Sequence, residues 1–146
     1  ITILRKRDNF RAAFDGFEPE IIAHYTEKDI QQCLNDAGII RHRGKIEATI
    51  GNAQAFLNLR NAGQEFNDFC WRFVDGKPVI NTFKTTQEIQ TQNDVSRNFS
   101  KSLKQAGFKF CGPVIVYAFM QAVGMVNDHL VDCPQYEKCK NLAGNL

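Results

Sequence analysis

No apolar run in this chain approaches the roughly 20 residues that a bilayer-crossing helix needs, and no stretch has the pattern of a secretory signal. Internal repeats and low-complexity segments are also missing, which excludes a solenoid array and a compositionally disordered tail. The five cysteines (Cys33, Cys70, Cys111, Cys133 and Cys139) are odd in number and scattered. They do not form a disulfide framework, and reduced thiols in a cytoplasmic protein without membrane contact are expected. Neither sign of charge dominates: the net charge is +2. That total neither demands nor excludes nucleic acid, because a modest sum can hide a basic face.

The chain also lacks a helix start. It opens "ITILRKRDNFRAAF" with no Met and no capping residue, although Ile3, Phe10 and Phe14 are spaced to share a helical face. The expectation is a fragment read from the middle of a helix, without its natural N-terminus. A processed end of a complete domain is the alternative.

What is present is an ordinary globular balance, 43% hydrophobic and 23% charged, with 12 Phe to build a core from rings. A length of 146 residues fits one domain, 1–146. Asp15-Gly16 breaks the first helix, and Pro19 suits the first turn of the next. Thr26 with Asp29 forms a capping pair ahead of a helix that Gly38 should end in a left-handed conformation. Ile46, Ile50, Ala53 and Leu57 recur at helical spacing up to Gly63, and Phe66, Phe69, Cys70 and Phe73 continue the pattern. Residues 75–92 read as a long polar loop. Asn93 caps a helix whose inward face is Val95, Phe99, Leu103 and Ala106. "PVIVYAFMQAVGMV" is apolar nearly all round and predicts a buried central helix. The fold class is therefore all-α, with six or seven helices.

Between the last two of these helices lies "GFKFCGP", a short hairpin with Gly107 and Gly112 at its ends and Lys109 between. Glycines let a backbone take unusual angles and lie close to another chain. The N–H groups of the following helix suit a phosphate oxygen, and Lys109 adds charge. Such a loop can grip a DNA strand without reading bases. It is equally the form of a plain helical hairpin capped by glycines, which these residues alone favour. The basic stretch Arg41, His42, Arg43, Lys45 around Gly44 reads as a phosphate contact or, more simply, as a solvated turn. Further on, "VNDHLVDC" holds His129 and Cys133 four apart, a spacing that suits half of a zinc site; a closed site needs four ligands.

Three segments, "ITILRKRDNFRAAF", "DAGIIRHRGKIEATIGNAQAFL" and "GFKFCGPVIVYAFMQAVGMVNDH", closely resemble the bacterial 3-methyladenine DNA glycosylase I family, and the resemblance runs from residue 1 to about Cys133. It implies the helix–hairpin–helix DNA glycosylase fold, incomplete at the N-terminus, with the helix–hairpin–helix at about 94–124. It implies base excision repair of alkylation damage: excision of flipped 3-methyladenine from double-stranded DNA by hydrolysis of the N-glycosidic bond. A monomer is the default expectation, since one subunit on one lesion suffices. It also implies a structural zinc ion with four ligands, of which His129 and Cys133 are two; a Cys and a His from an N-terminal segment supply the others. The Glu, Tyr and Trp residues that hold the flipped base in this family lie on that same segment. No catalytic residue is therefore named in this chain, and it is expected to be zinc-poor and inactive unless that N-terminal segment is present in the protein as well. The DNA-backbone residues are Gly107, Lys109 and Gly112.

The remaining candidates read as structural. Asp128 is expected to support His129 or cap local backbone. Cys139 is a rival ligand beyond the matched stretch. Cys33, Cys70 and Cys111 are small core residues. His24 is structural, and Trp71, Tyr117 and Phe119 pack the core unless they wall a pocket. The alternatives to an enzyme are a non-catalytic helix–hairpin–helix DNA-binding module and a helical interaction domain without a DNA role.

Overall fold

The computed structural model describes residues 1–143. It is mainly helical, and the chain divides into two compact units. No helix among the described residues is long and apolar enough to cross a membrane.

The first unit comprises Ile1–Gly63 with Ala106–Phe110. Helices α1 (Thr2–Arg5) and α2 (Arg7–Ala13) are separated at Lys6, whose φ of −95° and ψ of 6° break the helical path. The ammonium of Lys6 donates to the carbonyls of Ala37 (2.9 Å) and Gly38 (3.0 Å), tying the break to the turn beyond the fourth helix. The shared face expected of Ile3, Phe10 and Phe14 is lost as a result: Ile3 is exposed, while Phe14 is buried and stacks with Phe10.

A tight turn over Asp15–Phe17 ends this pair, and Pro19 opens α3 (Pro19–Ile22) at the expected place. Helix α4 (Glu27–Asn35) starts where the Asp29 carboxylate accepts the N–H and hydroxyl of Thr26, both at 2.7 Å. The expectation for Gly38 fails. The helix ends in an extended Asp36, and Gly38 is not left-handed. Crowding accounts for the glycine instead, since a Cβ there would come within 2.8 Å of Asp36 Oδ1 and 3.1 Å of Asn9 Nδ2.

The long α5 (Arg43–Asn61) buries Ile46, Ile50 and Ala53, with Leu57 only half-buried. With Phe14, Ile22, Ile30 and Ile39 they form the core of this unit. Each large apolar side chain buried here contributes about 1.5–3 kcal/mol relative to exposure.

The second unit comprises Gln64–Gln105 and the chain from Cys111 onward. It contains α6 (Phe66–Trp71), α7 (Asp94–Gln105), α8 (Pro113–Ala122) and α9 (Pro134–Ala143). The all-α reading needs one small amendment: β1 (Val79–Ile80), inside the predicted loop, pairs in parallel with β2 (Val126–Asn127). Two-residue strands carry too little alternation to be seen in a sequence.

The Asn93 cap is present and reciprocal: Ser96 N–H donates to Asn93 Oδ1 at 2.8 Å, and Asn93 N–H donates to Ser96 Oγ at 2.9 Å. Phe99, Leu103, Val116, Met120 and Met125 are buried, and Phe73 stacks on Phe99 at 4.4 Å between ring centroids. Helix α8 is not buried all round. Val116, Tyr117 and Met120 are buried, but Val114 and Ile115 are at least half exposed. The helix packs mainly against α7 and also meets β2, and apolar composition alone did not reveal its open side.

Candidate functional site

The loop after α7 has an uneven geometry. Gly107 has φ +96°, a conformation that L side chains rarely adopt. Phe110, not a glycine, takes the second left-handed position, at φ +54°, and its ring is exposed. Gly112 is ordinary, with φ −64° and ψ 159° as the N-cap residue of α8, ahead of Pro113. The expectation that both glycines take unusual angles therefore holds only for Gly107. No strand pairing occurs in this hairpin.

Lys109 is held by its backbone. Its N–H donates to Asn52 Oδ1 at 2.8 Å, and its carbonyl accepts Asn52 Nδ2 at 3.2 Å. This clamp from α5, 57 positions away in sequence, was not legible in the chain. The side chain of Lys109 is exposed and in no ion pair among the described residues. The first helical bond of α8 runs from Val116 N–H to Gly112 carbonyl at 2.9 Å, so the N–H groups of Val114 and Ile115 precede the ladder.

In the second unit a cavity of about 780 Å³ opens beside α8. Trp71, Ile80, Ala118 and Ala122 supply apolar wall, and Asp128 and His129 supply polar groups. Neither Tyr117 nor Phe119 lines it: Tyr117 is buried, and Phe119 meets Phe99 edge to face at 6.3 Å.

Asp128 has an environment that sequence reasoning missed. It is buried, and Asn81 Nδ2 donates to one carboxylate oxygen at 2.7 Å while Gln121 Nε2 donates to the other at 2.8 Å. The Tyr117 hydroxyl also hydrogen-bonds to it. Burial, then this hydrogen bond and the carboxylate charge, push the Tyr117 phenol above its ordinary range. The expected support of His129 by Asp128 is not what its oxygens do. Asn127 Oδ1 instead accepts the His129 N–H at 3.2 Å.

His129 Nδ1 and Cys133 Sγ are 3.7 Å apart. One nitrogen and one sulfur on a tetrahedral zinc sit roughly 3.6 Å from each other, so this pair fits two adjacent ligand positions. Among the described residues no group of three or more His, Cys, Asp or Glu could hold a metal ion. Cys139 also lines the cavity, as His129 does.

The other candidates have plain roles. His42 is the N-cap residue of α5, its Nδ1 accepting the Lys45 N–H at 3.2 Å. Arg43 is engaged by Glu27 (2.6 Å) and Glu47 (2.7 Å); its bond to Glu27, then that of Gln31, holds the Glu27 carboxyl down to about 2. The basic stretch is thus a solvated helix start with its central cation neutralised. His24 Nδ1 bonds the Glu20 carbonyl at 2.7 Å. Cys33 and Cys70 are buried, and burial pushes the Cys70 thiol up to about 11. Cys111, expected in the core, is only half-buried.

Comparison with known proteins gives a consistent result. A family model described as methyladenine glycosylase matches residues 1–136. The chain is 50% identical over 136 residues to DNA-3-methyladenine glycosylase 1 of Escherichia coli (strain K12), covering 93% of this chain and 73% of that protein. A crystal structure of a 3-methyladenine DNA glycosylase I superposes with a TM-score of 0.89 at 48% identity, covering 91% of this chain and 73% of the other. A variant of such an enzyme in complex with 3-methyladenine superposes with a TM-score of 0.88 at 40% identity, over 92% and 73% of the two chains.

Proposed function

This chain belongs to the methyladenine glycosylase family, and from that membership we propose that it is a DNA repair glycosylase, one that excises 3-methyladenine from alkylated double-stranded DNA. The observation that carries this reading is 50% identity, over 93% of the chain, to a DNA-3-methyladenine glycosylase.

The chemistry is physically economical. A base must leave the stack to be reached, at a cost of a few kcal/mol that damage lowers. Methylation at N3 leaves the purine positively charged and therefore already a good leaving group. Aromatic faces and a carboxylate suffice to select such a cation, and water completes the hydrolysis at the sugar. No residue of this chain is assigned a catalytic role.

In this reading α7, the loop and α8 form a helix–hairpin–helix, over about 94–124, that grips one DNA strand. Gly107, Lys109 and Gly112 are its backbone contacts. Gly112 supports the idea by elimination. Its backbone angles suit any residue and a Cβ there would meet nothing within 4 Å, so beyond the preference of an N-cap for glycine over alanine neither strain nor crowding requires glycine at that position. Close approach of an outside backbone would. His129 and Cys133 would hold a structural zinc ion; their 3.7 Å separation is the supporting observation. When bound, zinc would add folding energy and take no part in the hydrolysis. The protein would act as a monomer in the cytoplasm.

The test is release of free 3-methyladenine from methylated duplex DNA, run beside binding to unmodified duplex. Release is the expected result. Duplex binding without release would leave only a non-catalytic binding module, and neither binding nor release would overturn the reading. Zinc content measured on wild type and on His129→Ala tests the metal separately: the substitution should lower it, and equal content in both, with zinc bound to wild type, would remove His129 from the ligands.

A further inference from the structure

Helix α7 carries Arg97, Lys101 and Lys104 at positions i, i+4 and i+7, which fall on one side of a helix. The adjoining side is the buried one, with Ser96, Phe99, Ser100 and Leu103. The three cations border an open cleft of about 530 Å³ whose other wall includes Pro113, the first residue of α8. No carboxylate among the described residues lines that cleft.

Ion pairs engage the arginines of α5 but leave Lys101 and Lys104 open. Arg43 and Arg60, on α5, are held by Glu27, Glu47 and Glu20. Arg97 has one partner, the exposed Asp94. Lys101 and Lys104 have none among the described residues. The cleft is also built on a fixed frame. The Ser100 hydroxyl, between the cations, donates to the Cys111 carbonyl at 2.6 Å and so ties α7 to the chain that enters α8.

A simpler explanation for basic residues near a helix end is the macrodipole, which favours cations in the last turn. It accounts for Lys104, the basic residue of the last turn. It does not account for Lys101 or Arg97, nor for a cleft free of acidic side chains. A row of cations with the spacing of successive helical turns, two of the three in no ion pair among the described residues, suits a row of phosphates.

We propose that the α7 stripe Lys101–Lys104, with Arg97 at its far end, is a phosphate track that binds the DNA backbone in addition to the loop contacts. This rests on the glycosylase reading for its partner, double-stranded DNA, and assigns residues which that reading did not use. The track is sequence-independent and makes up part of the affinity for undamaged duplex.

The experiment is a salt series of binding to unmodified duplex, read by fluorescence anisotropy, for wild type, K101A/K104A, K101R/K104R and a control pair, K28A/K77A, that removes the same charge elsewhere. Each phosphate contact contributes about 0.9 to the slope of log affinity against log salt. K101A/K104A should therefore lose roughly 1.8 from the slope, while K101R/K104R keeps the wild-type slope and K28A/K77A changes it little. An unchanged slope in K101A/K104A overturns the track. An equal loss in K28A/K77A overturns it too, since net charge alone would then explain binding. In both of those cases 3-methyladenine release by wild type leaves the glycosylase reading standing. Failure of wild type to bind duplex at low salt removes both.

Discussion

At Asp128 a buried carboxylate is satisfied by donors from three places in the chain, Asn81, Tyr117 and Gln121. Hydrogen bonds to a charged group are the costlier ones to lose. Asp128→Asn turns one acceptor into a donor that faces the amide of Asn81 or Gln121. The variant should lose about 2 kcal/mol of stability, measurable by chemical denaturation. A loss within experimental error would mean that the network is not holding the second unit together. Tyr117 adds a pH signature. Its folded-state pKa is raised, so its contribution is complete below the ordinary phenol value near 10 and declines as pH rises past it. Wild type should lose stability in that alkaline window, and Tyr117→Phe should lose less. Tyr25, raised by burial and by its hydrogen bond to Asp15, acts with the same sign in the first unit, so some alkaline loss should persist in the Tyr117 variant.

The loop between α7 and α8 behaves as an element with one strained end and one free end. Gly107→Ala places a side chain at φ +96° and should cost about 1 kcal/mol, although its Cβ would meet only Ala55 at an ordinary 3.6 Å. Gly112→Ala should cost no more than about 1 kcal/mol, the loss of a glycine N-cap, yet weaken duplex binding. A pair of melting curves and a pair of binding isotherms distinguish the two roles. If Gly112→Ala binds duplex as wild type does, close approach at that position is excluded. Asn52→Ala removes the two bonds that clamp Lys109. It should cost about 1–2 kcal/mol and accelerate hydrogen exchange at the Lys109 amide.

On the scale of the molecule, none of the five cysteines forms a disulfide among the described residues. Cys33 and Cys70 are buried with thiols raised by burial, while Cys111, Cys133 and Cys139 are half-buried. With its pKa near 11, Cys70 is on the order of one thousandth thiolate at pH 8, and thiolate is the reactive form. Alkylation of the native protein, followed by mass spectrometry, should label the last three first and all five in denaturant. Early labelling of Cys70 would contradict its burial.

Local signals were legible wherever the determining interaction spans a few residues. Pro19 at a first turn, the Thr26–Asp29 pair, the Asn93 cap and the helical spacing of Ile46, Ile50 and Ala53 are short-range physics, and each stands in the structure as read. The family was legible too, since long ungapped matches need no geometry. What depended on partners distant in sequence was not legible. The Asn52 clamp on Lys109, the Asn81 bond to Asp128 and the pairing of Val79 with Val126 join residues that no local pattern connects. Gly38 was misassigned because a turn's φ and a neighbour's bulk both select glycine, and only the placement of Asp36 and Asn9 tells them apart. Helix α8 looked buried because composition records how apolar a surface is, whereas tertiary packing decides which side of it is covered.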